Sequence, residues 1–135
     1  MTLAIIRRNT TEQLAAEVYG NPRSVVVRLP YPPSALNPNA RPHWAAKARA
    51  AKAYKNACFA LLMEHRRHLK GKMDFIITFR PPDKRGRDLD NAIASMKAGQ
   101  DALAIVTGVN DSLFYIRHEM GEPTPGGAVE VEVAL

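Results

Sequence analysis

The stretch MDFIITFRPPDKRGRDLDNAIASMKAGQDALAIVTGVNDSLFYIRHE, residues 73–119, decides how this chain folds. From Met73 to Arg80 the side chains alternate, with Phe75, Ile77 and Phe79 on one face and Asp74, Ile76 and Thr78 on the other, the pattern of a β-strand. Pro81-Pro82 ends it, because proline offers no amide hydrogen to a ladder. After the polar loop Asp83 to Arg87, residues Asn91 to Val106 predict a helix whose apolar side carries Ile93, Met96, Leu103 and Val106. A turn at Gly108-Val109-Asn110 then leads into a second strand near Leu113 to Glu119.

Working outward, Gly121 to Gly127 reads as a loop and Ala128 to Ala134 as a last strand. Upstream, Trp44 to Leu69 carries Trp44, Ala48, Ala51, Tyr54, Cys58, Leu61, Leu62 and Leu69 at three- and four-residue spacing, which predicts an amphipathic helix stopped by Gly71. Before it, Ser24 to Leu29 is a β-branched strand, and the prolines of 30–38 impose an extended loop. The expected fold is α/β of the α+β kind, a small mixed sheet with two main helices packed on it. Residues 1–23 read as an N-terminal extension to a single domain at 24–135. Within the extension, Thr10 and Gln13 stand at capping-box spacing and predict a short helix that ends at Gly20-Asn21-Pro22.

The 135 residues suit one domain, and 46% hydrophobic with 24% charged residues excludes collagen-like and wholly disordered chains. The longest apolar run, Ala57 to Met63, falls short of the about 20 residues a membrane-spanning helix needs, and Met1 opens no secretion-signal pattern. A soluble, cytoplasmic protein with no membrane partner is expected. Its one cysteine, Cys58, excludes an internal disulfide and suits a reducing compartment as a small buried hydrophobe. Phosphate-loop and GxSxG patterns are absent, and His43, His65, His68 and His118 lack HExxH spacing.

Charge is informative by its order. Residues 1–87 hold 17 Lys plus Arg against 5 Asp plus Glu, whereas residues 88–135 hold 2 against 8. A basic segment suits a polyanion, and acidic groups beside it call for a cation. The acidic part opens on Arg87-Asp88-Leu89-Asp90-Asn91. If that run is extended, the Asp88 and Asp90 carboxylates point to one side with Cα atoms about 7 Å apart, while Leu89 faces the core. Asp90 also stands where a helix N-cap belongs, a role that would leave Asp88 unexplained.

At about 100° per residue, Lys97 and Asp101 fall within about 40° of Asp90 on the helix. The Lys97 side chain leans back toward the carboxylates, and it also has an i, i+4 partner in Asp101. Asp111 is either an ordinary turn residue or the third carboxylate of a site at the mouth of the sheet. Two or three aspartates with a phosphate oxygen suit Mg²⁺, with Mn²⁺ as the substitute ion, and such a metal activates water against a phosphodiester. Lys47, Arg49, Lys52 and Lys55 on the first helix are an ordinary solvated face unless other features point to DNA, in which case they, with Lys84, Arg85 and Arg87 in the loop, are the candidate DNA contacts; Asn91 and Asp101 are auxiliary to the site.

Three stretches carry a resemblance: Leu29-Pro30-Tyr31-Pro32-Pro33-Ser34; Arg87-Asp88-Leu89-Asp90-Asn91 followed by Lys97 and Asp101-Ala102-Leu103; and Gly108-Val109-Asn110-Asp111. Over residues 24–135 the chain resembles the RusA-type Holliday-junction resolvases, phage- and prophage-borne endodeoxyribonucleases. The resemblance implies a homodimeric, Mg²⁺-dependent nuclease of a bacterial or phage-infected cell that makes symmetric nicks in a four-way DNA junction. It also implies essential acidic roles for Asp88, Asp90 and Asp111 and a catalytic lysine at Lys97. The chain departs from the family pattern in about three extra residues between Asp90 and Lys97, in Asn110 at an often acidic position, and in its extended N-terminus. The expected function is therefore junction resolution in recombination and repair. The alternatives are a non-catalytic junction- or DNA-binding accessory protein of phage recombination or packaging, and a magnesium phosphohydrolase acting on small nucleotides.

Overall fold

A computed structural model describes residues 23–135. The elements are β1 (Ser24–Leu29), a 3-10 turn (Ser34–Leu36), α1 (Trp44–Met63), α2 (Arg66–Leu69), β2 (Asp74–Arg80), α3 (Leu89–Ser95), α4 (Lys97–Thr107), a second 3-10 turn (Asp111–Leu113), β3 (Tyr115–Met120) and β4 (Ala128–Ala134). The helix expected at Thr10 lies outside the described residues.

The four strands form one sheet in the order β1-β4-β2-β3. β4 is antiparallel to both β1 and β2, whereas β3 runs parallel to β2. A parallel pair cannot be closed by a hairpin, so α3 and α4 form the crossover between them. The alternation read from sequence sets the inner face: Val27 and Leu29, Phe75, Ile77 and Phe79, and Val129, Val131 and Val133 are buried together. Tyr54, Cys58 and Leu62 of α1 and Ala102, Leu103 and Val106 of α4 pack into the same cluster. α1 lies chiefly along α4. The α+β expectation is met.

The opposite face of the sheet is polar. Arg80 donates to Glu130 at 2.8 Å, Arg28 reaches the same carboxylate at 3.3 Å, and the Thr78 hydroxyl lies 3.3 Å from Glu119. Ile76 and Glu132, cross-strand partners on this face, are nonetheless buried.

Three boundaries and one exposure differ from the sequence-based expectation. The first long helix stops at Met63, and His65, at φ −115° and ψ 18°, separates it from the single turn of α2. Trp44, expected on its apolar stripe, is 77% exposed at the very start of α1, where the His43 ring accepts the Ala45 amide hydrogen. The second helix is two, broken at Met96, whose sulfur turns inward to the Tyr54 hydroxyl at 3.3 Å. Finally, β3 begins at Tyr115, because Asn110 accepts the Ser112 amide hydrogen and winds Asp111–Leu113 into a 3-10 turn.

The Tyr54 hydroxyl also donates to the Pro30 carbonyl at 2.7 Å. Burial raises its pKa far above the ordinary phenol value, so it acts as a donor throughout the physiological range. Gly99 makes room for this cluster, since a Cβ there would come within 2.8 Å of the Met96 methyl and 3.1 Å of the Tyr54 ring. Tyr54→Phe keeps the ring but strips a part-buried carbonyl of its donor, which costs about 1–3 kcal/mol. Urea unfolding should show a lower midpoint with an unchanged slope, and an unaltered midpoint would refute the role given to the hydroxyl.

Burial pushes the Cys58 thiol up to about 11, and the residue is fully shielded. A thiol-specific chromogenic reagent at pH 8 should therefore release no colour from the native protein and one equivalent after unfolding; prompt reaction of the native form would contradict this packing.

Candidate nucleic-acid cleft

The chain direction decides which loops meet. β1 and β2 both pair antiparallel with β4, so their C-terminal ends lie at the same end of the sheet. The proline-rich segment after β1 and the arginine-rich loop after β2 therefore face each other. Between them opens a cleft of about 490 Å³, lined among others by Tyr31, Pro33, Ser34, Asn39, Arg85, Arg87, Asp88, Asn91 and Ser95. Two of the three sequence stretches singled out above thus form opposite walls of one depression.

Each wall is fixed by identifiable interactions. Tyr54 holds the Pro30 carbonyl, and Tyr31 seats against Gly127, where φ is +72° and a Cβ would stand 2.8 Å from that of Tyr31. Desolvation raises the Tyr31 phenol, partly offset by the positive charge of Arg87. On the other wall the Asp83 carboxylate accepts from Arg87 at 2.8 Å, from the Arg85 amide at 3.0 Å and from the Arg85 guanidinium at 3.3 Å. The Arg87 bond, followed by the Arg85 amide, holds the Asp83 carboxyl well below the usual carboxylate range. Asp83 was not singled out from sequence. Its spacing of two and four residues from Arg85 and Arg87 is the signal that could have found this brace.

Asp88 and Asp90 differ from the extended pair expected. Asp88 is extended at φ −87° and ψ 125°, but Leu89 and Asp90 are already helical. Asp88 is the N-cap, its Oδ1 accepting the Asp90 amide hydrogen at 2.9 Å, and the cap assigned above to Asp90 belongs to it. A free amide hydrogen two residues into the helix attracts the nearest acceptor before it, and Asp88 occupies that position. Asp88 lines the cleft, while Asp90 sits exposed on the first turn beside it. Asn91 lines the cleft as well, and its carbonyl receives the Ser95 hydroxyl at 2.7 Å.

Lys97 opens onto a neighbouring groove of about 340 Å³, lined also by Leu36, Lys47, Ala94, Ser95 and Asp101. Ser95 borders both depressions. The Lys97 ammonium lies 3.4 Å from Asp101, the i, i+4 pairing anticipated as its alternative. Of the other basic candidates, Arg49, Lys52 and Lys84 are exposed and Lys55 is half-buried; none of these four lines either depression.

Asp111 departs most from expectation. The crossover runs back along the sheet, with Gly71 donating its amide hydrogen to the Thr107 carbonyl and Tyr115 donating to Met73 before β2 begins. Asp111 thus stands at the end of the sheet where β2 starts, opposite the end that carries Asp88. The expectation that it neighbours the start of the preceding helix is overturned by the parallel pairing of β2 and β3. Among the described residues no three His, Cys, Asp or Glu side chains are gathered as a metal-binding group. The described helices include none long and apolar enough to cross a membrane.

Because asparagine caps a helix about as well as aspartate, Asp88→Asn should leave stability within a few tenths of a kcal/mol, whereas Asp88→Ala should cost about 1 kcal/mol. Chemical denaturation of both variants separates the cap from the charge, and equal losses would refute the cap.

No family model matches this chain. It is 31% identical over 114 residues to an uncharacterized protein of Xylella fastidiosa strain Temecula1, a match covering 79% of this chain and 72% of that one. The two proteins belong to one family.

Proposed function

We propose that this member of the family is a Mg²⁺-dependent, structure-selective DNA endonuclease of the RusA type, cutting four-way junctions by paired nicks in the cytoplasm of a bacterial or phage-infected cell. The observation that carries the reading is the cleft itself, which unites Tyr31–Ser34 with Arg87, Asp88 and Asn91 and sets two arginines beside a carboxylate. Arginines held by Asp83 in a fixed fork suit phosphate oxygens. An uncompensated aspartate facing the same phosphates is useful to a nuclease and a liability to a simple binder.

The donor chemistry fits Mg²⁺. This ion binds through one or two carboxylates plus substrate phosphate and keeps several waters, so Asp88 with Asp90 would suffice to hold it, and Asp111 of the same chain is not required. When bound, it supplies a water of lowered pKa and offsets charge on the phosphate. The protein's own part is to bind and orient. Arg85 and Arg87 grip the scissile strand, Lys47 and Lys97 extend the positive track through the adjoining groove, and the exposed Trp44 ring offers a stacking surface for an unpaired base. Arg49, Lys52, Lys55 and Lys84 add sequence-independent attraction along the arms.

The test uses a synthetic four-way junction and a linear duplex of the same sequence, with Mg²⁺, Mn²⁺ or EDTA. The wild type should nick the junction symmetrically and leave the duplex intact. Asp88→Asn should bind the junction normally and cut it roughly 10²–10³ times more slowly. Arg87→Ala should weaken binding and lower the dependence of log affinity on log salt by about 1. Tight junction binding by the wild type without cutting in either metal would overturn the nuclease reading and leave the accessory-binder alternative.

A further inference from the structure

We infer that residues 1–22 lie across the outer face of the sheet and close it as a covering layer over Ile76 and Glu132. The inner face is covered by helices: α1, α2, α3 and α4 each contribute to the cluster that holds Phe75, Ile77 and Phe79. Ile76 points the other way and stands outside that cluster, yet it is 0% exposed. Its cross-strand neighbour Glu132 is 4% exposed. In a sheet, neighbouring side chains shield the flanks of a residue, but its tip faces water unless another layer lies above it, about 10 Å from the sheet.

Among the described residues, the groups that fold over this face gather at its other end. Arg28 reaches Glu130 and the Thr124 hydroxyl, Arg80 reaches Glu130 and the Glu122 carbonyl, and Gly121 comes against the Thr78 methyl. They account for the burial of Thr78. The row Val26, Glu132 and Ile76, which crosses three strands, lies closer to where β1 and β2 begin. Its burial is a property of the single chain, so the cover belongs to that chain and not to a second copy.

The start of the chain is placed to supply it. Residues 1–22 join the sheet at Arg23, whose carbonyl accepts the Leu135 amide hydrogen beside the first residue of β1. Val26 and Ile76 are each third in their strands, so the row begins about 10 Å from that joint. A segment tethered so close outcompetes a free partner for the same surface. Its composition matches the face as well. Leu3, Ile5, Ile6, Leu14 and Val18 offer apolar surface to Ile76 and to Val26, while Arg7 and Arg8 bring the positive charge that favours a carboxylate buried as deeply as Glu132.

Two measurements on the full chain test this. Hydrogen exchange of the wild type, read in peptides covering residues 2–19, should be slowed about tenfold or more relative to the same peptides unfolded; exchange at the unfolded rate would overturn the inference. The second uses Ile76→Cys as a reporter with a thiol-specific reagent, since Cys58 is fully shielded and stays silent while the protein is folded. The reporter should react slowly, and adding Ile5→Asp with Leu14→Asp should speed its labelling about tenfold or more with Cys58 still silent. A reporter that reacts promptly beside the unaltered segment, or as slowly in the Asp variant, would overturn the inference, as would shielding that is lost on dilution, the mark of a second copy. If the reporter variant fails to fold, the exchange measurement decides alone. The inference stands apart from the nuclease reading, because neither measurement involves DNA or cutting.

Discussion

One buried hydroxyl joins the parts of this protein that have to meet. Tyr54, on the inner face of α1, donates to the carbonyl of Pro30 and lies against the sulfur of Met96. The first contact fixes where the chain leaves β1, and hence the wall of the cleft that carries Tyr31 and Ser34. The second fixes the break between α3 and α4, and hence the angle at which α3 presents Asp88 and Asn91. Gly99 and Gly127 serve the same end by absence, each leaving space for an aromatic residue that a methyl group would displace.

Around that joint, strand direction separates the charges. With β1 and β2 parallel in direction and both flanking β4, two loops of different composition are delivered to one end of the sheet: one rich in proline, the other in arginine. Prolines limit how far the first loop can collapse, and the Asp83 brace keeps Arg85 and Arg87 from folding onto Asp88. The cleft therefore stays open with positive and negative groups side by side, a condition that free side chains in water would relax by pairing. On the polar sheet face, by contrast, opposite charges do pair, Arg28 and Arg80 both converging on Glu130.

Much of this was legible in the residues, for local reasons. Phe75, Ile77 and Phe79 declare a strand face by alternation, and Tyr54, Cys58 and Leu62 declare a helix face by their spacing. What escaped depended on partners distant in sequence. The break at Met96 answers to a tyrosine 42 residues earlier. The choice between Asp88 and Asp90 as cap turns on where the first helical amide hydrogen falls, and both residues are competent caps. The position of Asp111 follows from the parallel pairing of β2 with β3, and a strand-helix-strand pattern does not by itself say that those two strands are neighbours. The arginines and Asp88 were found because charge order survives without three-dimensional information; Asp83 was missed because a brace looks like any loop aspartate until its partners are seen.

The central claim is that a branched DNA enters the cleft between the proline-rich and arginine-rich loops. Hydrogen exchange followed by mass spectrometry, with and without a short-armed four-way junction in Mg²⁺, tests it most directly. Protection should rise in peptides covering residues 30–39 and 83–96 and fall at the same DNA concentration in Arg87→Ala. Protection confined to the opposite end of the sheet, over residues 70–74 and 109–114, would contradict the account.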